Sequence, residues 1–179
     1  MDNNRKVTIT SMVNGRVGVT LPELRFKRSW PKMGTKVPVD YSILQEAIFD
    51  DGFARMLKDG ILVIEDKQAL QDLGLIDSSA IAEVALNEMQ MIKMLKVDSL
   101  ESFTEIFNKM SMTQKKTLAD IAIEKRIEDY DKCELIRNST GINIRRTIEL
   151  DRQAKEQEKV PAAEPEKKNL AASRKMTAF

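Results

Sequence analysis

Between residues 16 and 39 the chain reads RVGVTLPELRFKRSWPKMGTKVPV, and five of its six basic side chains gather around the only tryptophan. Arg25, Lys27, Arg28, Lys32 and Lys36 supply positive charge, and Trp30 supplies a broad apolar ring with one donor. Arginine and tryptophan are the residues most enriched at binding hot spots. The stretch has three readings: a protein-docking surface, a nucleic-acid site, or a strand whose tryptophan tucks under a sheet while its cations stay solvated. Single-strand nucleic-acid binders stack bases on a platform of aromatic rings, and that platform is missing around Trp30. Arg25, Lys27, Arg28, Trp30 and Lys32 are therefore the candidate partner-binding residues, with protein favoured over nucleic acid as the partner.

Other chemistry is thinly provided. With no histidine, the chain lacks the commonest general base, the commonest transition-metal ligand and every Ser/His or Cys/His nucleophile pair. Cys133 is the single cysteine, so no intrachain disulfide or zinc cluster is expected. It falls in a helical pattern and reads as a buried structural thiol. Seven scattered glycines form neither G-x-x-x-x-G-K-[ST] nor G-x-G-x-x-G, and no run matches D-x-[DN]-x-[DN]-G. Carboxylates such as Glu65 with Asp66, or Asp129 with Asp131, sit at adjacent or alternate positions, which do not share a helix face. They read as caps and solvated surface. No catalytic residue, metal, cofactor or small-molecule ligand is expected, and the chain reads as non-enzymatic.

The charge balance, 29 Lys and Arg against 28 Asp and Glu, means any polyanion contact must rest on a local patch. No apolar run approaches the ~18 residues a membrane span needs, and the start MDNNRKVTIT has no secretory apolar region. A soluble protein made in the cytoplasm, with no membrane partner, is the expectation.

The elements that would position the basic stretch fall in the first third. Residues 6–13 alternate as a strand, and Asn14-Gly15 is a strong two-residue hairpin signal, with residues 16–20 as the return strand. Pro22 limits residues 24–27 to a short or edge strand and leaves Trp30-Pro31 in a loop. Residues 36–39 read as another edge strand, with Pro38. Asp40 is positioned to cap a helix bearing Ile43, Leu44, Ala47 and Ile48. A second helical piece closes at Gly60, and residues 61–64 read as a buried strand joining the sheet.

After residue 66 the pattern is helical. Ala69, Leu70 and Leu73 stop at Gly74. Asp77 or Ser78 is positioned to cap a helix with Ile81, Val84, Ala85, Met89, Ile92 and Leu95 on its face. Of Met89, Met91 and Met94, at least one must leave the buried face. Asp98 with Glu101, and Ser111 with Gln114, match capping boxes. The run SMTQKKTLADIAI (111–123) resembles the first helix of a helix-turn-helix. Glu124, Lys125 and Arg126 are read as continuing that helix, and the acids that follow (Glu128, Asp129, Asp131) oppose phosphates. Gly141 ends the stripe, and Ile144 and Ile148 open a last, polar helix. Residues from 160 onward have two prolines, charges and only Leu170, Met176 and Phe179 as apolar anchors. They read as an arm that orders on a partner.

The predicted fold is α+β. A small N-terminal β-rich domain with one or two helices (1–66) precedes an α-helical bundle (67–158) and an extended or disordered C-terminal arm (159–179). The order of features resembles small virion structural proteins of tailed bacteriophages. The stretches carrying the resemblance are NGRVGVTLPELRFKRSWPKMGTKVPVD, ARMLKDGILVIED, LADIAIEKRIEDYDKC and TGINI, which span most of residues 7–144. It implies a structural role in head, neck or tail, as many symmetric copies in the virion. The partners would be other virion proteins and copies of itself, with the arm's Leu170, Met176 and Phe179 contacting neighbours. The alternative is a nucleic-acid-binding regulator using the helices in 111–138.

Overall fold

The computed structural model describes residues 5–76 and 79–159. The fold is α+β, as predicted, with small antiparallel sheets preceding the helices. Strand β1 (Lys6–Ser11) is its spine, because Val7, Ile9, Thr10 and Ser11 are all buried. It pairs antiparallel on one edge with β4 (Lys36–Asp40) and on the other with β5 (Leu62–Ile64), giving the order β4-β1-β5. Pro38 lies on the edge strand β4, where a missing donor costs no ladder bond.

Strands β2 (Val17–Leu21) and β3 (Phe26–Trp30) form a separate ribbon. This corrects the hairpin expected at Asn14-Gly15. Gly15 does take a positive φ of 91°, but both edges of β1 are already filled. The turn therefore passes the chain from one sheet to the other. The hairpin forms one step later, around residues 22–25, where Leu24 N–H donates to Leu21 O at 3.2 Å and Arg25 N–H to Pro22 O at 3.0 Å. The strand expected at 24–27 is accordingly shifted to Phe26–Trp30, and Trp30 lies in it rather than in a loop.

Helices α1 (Tyr41–Ala47), α2 (Asp51–Lys58) and α3 (Lys67–Asp72) pack on the sheets. The Asp50 and Asp66 carboxylates accept from Phe53 N–H and Ala69 N–H and so cap α2 and α3, while Asp40 precedes α1 without a side-chain cap bond. Val7, Ile9, Phe26, Trp30, Leu44 and Phe53 belong to this first core. Ser11 is fully buried, and its Oγ has no hydrogen-bond partner among the described residues. Removing such a group relieves its desolvation. Ser11→Ala is therefore expected to be neutral or to stabilise by up to ~1 kcal/mol in urea unfolding; a loss of that size would mean that the hydroxyl has a partner.

The second core lies among α4 (Glu88–Lys96), α5 (Leu100–Lys109), α6 (Met112–Glu124), α7 (Tyr130–Thr140) and α8 (Ile144–Lys159). The helix expected from a cap at 77 or 78 starts later. Those two residues lie outside the described ones, and Asn87 caps α4 in a capping box with Gln90. Its face is consequently Met91, Met94 and Leu95, with Met89 82% exposed. Ser99, not Asp98, caps α5 by accepting from Ser102 N–H. Ser111 caps α6, but Gln114 does not complete the box, its side chain being bonded elsewhere. Helix α6 does not run on through Arg126: it ends at Glu124, and Arg126 turns the chain with a φ of 52°. In α8, Ile144 and Ile148 are buried and residues 149–157 are exposed. No helix among the described residues is long and apolar enough to cross a membrane.

Candidate interaction surface

Alternation along the ribbon turns Lys27 to solvent, while Arg28 shares the inward register of Phe26 and Trp30, opposite Val19, and is exposed all the same. Val17, Val19, Phe26 and Trp30 face the first core. Lys27 pairs across the ribbon with Thr20, and Ser29 with Gly18; all four are exposed. Arg28 is exposed too, held by a bond from Nη1 to Lys27 O at 2.9 Å and by its guanidinium 5.4 Å from the Phe26 ring centroid. Arg25, at the tip, holds a φ of 48°, an uncommon conformation for a residue with a Cβ. Lys32 follows β3 and is exposed.

Trp30 is corrected. It is fully buried, and its indole N–H donates to Ile9 O at 2.9 Å. That bond satisfies the one polar atom of a ring otherwise packed on apolar side chains. Trp30 thus fastens the ribbon to the central strand and offers nothing to a partner. Leu170, Met176 and Phe179 lie outside the described residues. Lys36 belongs to the sheet instead of the ribbon, with Nζ 2.7 Å from Glu65 Oε2.

Arg16, Arg25, Lys27, Arg28 and Lys32 make no ion pair among the described residues. Residues 16–32 hold these five cations against one acid, Glu23. Three of the five, Arg16, Lys27 and Arg28, edge a shallow trough of about 510 Å³ floored by Gly18, Thr20 and Ser29. Beside it, at the hairpin tip, a second hollow of about 510 Å³ lies against the α1–α2 elbow. Leu21 and Leu24 line it, Glu23, Glu46 and Asp50 supply negative charge, and Phe49 stands 83% exposed. Thr20 lines both hollows. Sequence patterning passes over Phe49, because it lies off the stripe of Ile43, Leu44, Ala47 and Ile48 and beyond the end of α1 at Ala47.

The carboxylates have the structural roles expected of them. Glu65 accepts from Thr10 and Lys36, and Asp66 accepts from Ala69 N–H and Arg5. The bond from Lys36, then that from Thr10, hold the Glu65 carboxyl below the usual range. The Ala69 amide, then Arg5, do the same for Asp66. Asp129 caps α7 by accepting from Lys132 N–H at 3.1 Å. Cys133 is buried, as expected. Burial, aided by the nearby Asp129 charge, pushes its thiol up, away from the reactive thiolate. Among the described residues no three His, Cys, Asp or Glu side chains gather as a metal site would require.

Two buried polar side chains escaped sequence reasoning. The Gln114 amide sits where the two cores meet. Its Oε1 accepts from Leu86 N–H at 3.0 Å, and its Nε2 donates to Met12 O at 2.9 Å and Gly60 O at 3.0 Å. Lys132 is 4% exposed, and its ammonium donates to Met94 O, Leu95 O and Asp98 O. Both are structural ties, and neither lines the trough or the tip hollow. Comparison of the chain with protein-family models, curated proteins and solved structures gives no match.

Proposed function

We propose that this chain is a non-enzymatic assembly protein that packs as multiple copies through protein–protein contacts. The observation that supports this best is the ribbon: Arg16, Lys27 and Arg28 edge an exposed trough, with Arg25 at the tip and Lys32 just after β3, and none of the five makes an ion pair among the described residues, while Trp30 fastens the ribbon's hydrophobic side to the core. Charges of one sign that the fold does not neutralise await an acidic surface, and such pairing sets orientation and partner choice. The resemblance to small virion structural proteins of tailed bacteriophages makes the particle a virion, assembled in the host cytoplasm, with residues 160–179 reaching to neighbours. Light scattering on the full chain and on a chain ending at residue 159 tests the reading. The full chain is expected to carry several times the 20.4 kDa chain mass and to lose copies on truncation. A single chain in both forms would overturn it.

The alternative, a nucleic-acid-binding regulator using residues 111–138, gains one feature from the structure. A turn does separate α6 from α7. The exposed start of that second helix is nonetheless acidic, with Glu128, Asp129 and Asp131, and an acidic lip repels phosphates. Duplex binding that weakens steeply with salt is the result this alternative requires.

A further inference from the structure

Gly18 lies in the middle of β2, without a positive φ, and a Cβ built there meets nothing within 4 Å. The fold of one chain therefore has no use for a glycine at this position. Glycine within a strand costs roughly 0.5–1 kcal/mol relative to alanine, and it commonly marks a place where another molecule comes close. Here the bare backbone is the floor of the basic trough.

What approaches it follows from charge. The surplus of four on residues 16–32 has its counterpart in residues 41–83, which hold three basic residues against nine acidic ones. Part of that acidity is spent within the chain, since Asp66 and Asp72 pair with Arg5, and Glu65 with Lys36. Glu23, Glu46 and Asp50 make no ion pair among the described residues, and they surround exposed Phe49. The tip hollow is thus acidic with an apolar centre, and the trough is basic with an empty centre. The two are complementary in charge, and exposed Phe49 is the apolar group that stands at the acidic one.

We infer that the occupant of the trough is a second copy of this chain, which rests on the assembly reading above. The two hollows adjoin at Thr20, and a two-fold axis between copies would bring each trough onto the other copy's tip hollow. Such an isologous pairing makes both contacts at once and closes. Phe49 of each copy lies over Gly18 of the other, an apolar centre within a rim of paired charges. A nucleic-acid occupant would meet this same acidic hollow beside the trough and be repelled by it.

The experiment uses the full chain and four variants, read by light scattering and thermal unfolding. Gly18→Val places a β-branched residue in a strand, so its thermal midpoint should equal or exceed that of the wild type, while pairing weakens at least about tenfold. Phe49→Ser should weaken pairing similarly. Lys27→Glu with Arg28→Glu, and Glu23→Lys with Glu46→Lys, should each abolish pairing alone. Mixed in equal amounts, those two charge-reversed chains should pair again, because each trough then meets a hollow of opposite sign. Assembly undiminished in all the variants would overturn this interface and leave the assembly reading standing. A wild type that stays a single chain at every concentration would overturn both. Duplex DNA bound by that single chain, and lost on Lys27→Glu with Arg28→Glu, would assign the trough to nucleic acid instead.

Discussion

Gln114→Leu is expected to destabilise the protein by about 3 kcal/mol and to separate the unfolding of its two cores. The amide makes three hydrogen bonds, all to backbone groups, and is fully buried. Leucine fills a similar volume but leaves Leu86 N–H, Met12 O and Gly60 O without this partner. Each unsatisfied buried group costs roughly 1–3 kcal/mol, and burial of the leucine's apolar side chain offsets part of the sum. Gly60 shows how closely the seam is packed. It holds a φ of 67°, and a Cβ there would fall 3.1 Å from Ala82 Cβ and 3.4 Å from Gln114 Cγ.

The separation of the cores has a convenient reporter. Trp30 is the only tryptophan and lies in the first core, while α4 to α8 surround the second. Intrinsic fluorescence therefore follows the first core, and far-ultraviolet circular dichroism is weighted to the second. In the wild type the two urea transitions should coincide; in Gln114→Leu the midpoints should part. Coincident transitions with less than about 1 kcal/mol lost would show that apolar packing across the seam, not the amide, couples the cores.

The same glutamine shows where sequence reading stops. Local signals were legible: Gly60, Gly74 and Gly141 all follow helices with positive φ, Ser111 caps α6, and Ile144 with Ile148 anchors α8. These features are decided within one turn of chain. Ser111 with Gln114 also has the spacing of a capping box, but the Gln114 side chain is captured by carbonyls 102 and 54 residues away in sequence. Pairing fails for the same reason. Asn14-Gly15 does bend the chain, yet what β2 pairs with depends on β5 having taken the edge of β1, some fifty residues later. The end of α6 was hidden because Arg126 adopts a glycine-like φ without being glycine. At the candidate surface, alternation accounts for the outward Lys27, but Arg28 holds the inward register of Phe26 and Trp30 and is exposed all the same. Trp30 was misplaced because a shift of strand bounds moved it from loop to core. Phe49 and Gly18 gain meaning only when α1 and the hairpin tip are seen side by side.

Lys132→Met is expected to cost about 3 kcal/mol, and Lys132→Arg a comparable amount despite keeping the charge. An ammonium has three donors, and here all three are used: Met94 O at 3.2 Å, Leu95 O at 2.9 Å and Asp98 O at 2.7 Å. The Met94 and Leu95 carbonyls lie in the last turn of α4, where the aligned peptide dipoles leave partial negative charge and intrahelical donors have run out, and Asp98 O lies two residues beyond it. The Phe103 ring adds a face 5.6 Å from the nitrogen. No carboxylate among the described residues bonds to the Lys132 ammonium, so the end of one helix serves as the counter-charge for a residue of another. Methionine relieves the burial of a cation, which favours the variant, but strands three carbonyls, which costs more. Arginine presents its donors in a flat fork and needs more room, so it cannot replace a tripod closed on three separate oxygens. Urea midpoints give the totals, and hydrogen exchange at Leu95, Lys96 and Val97 locates them: protection should fall there first if the ammonium is the cap of α4. A methionine variant as stable as the wild type would mean that desolvating the cation cancels its three bonds, and the arginine variant would then be the less stable of the two.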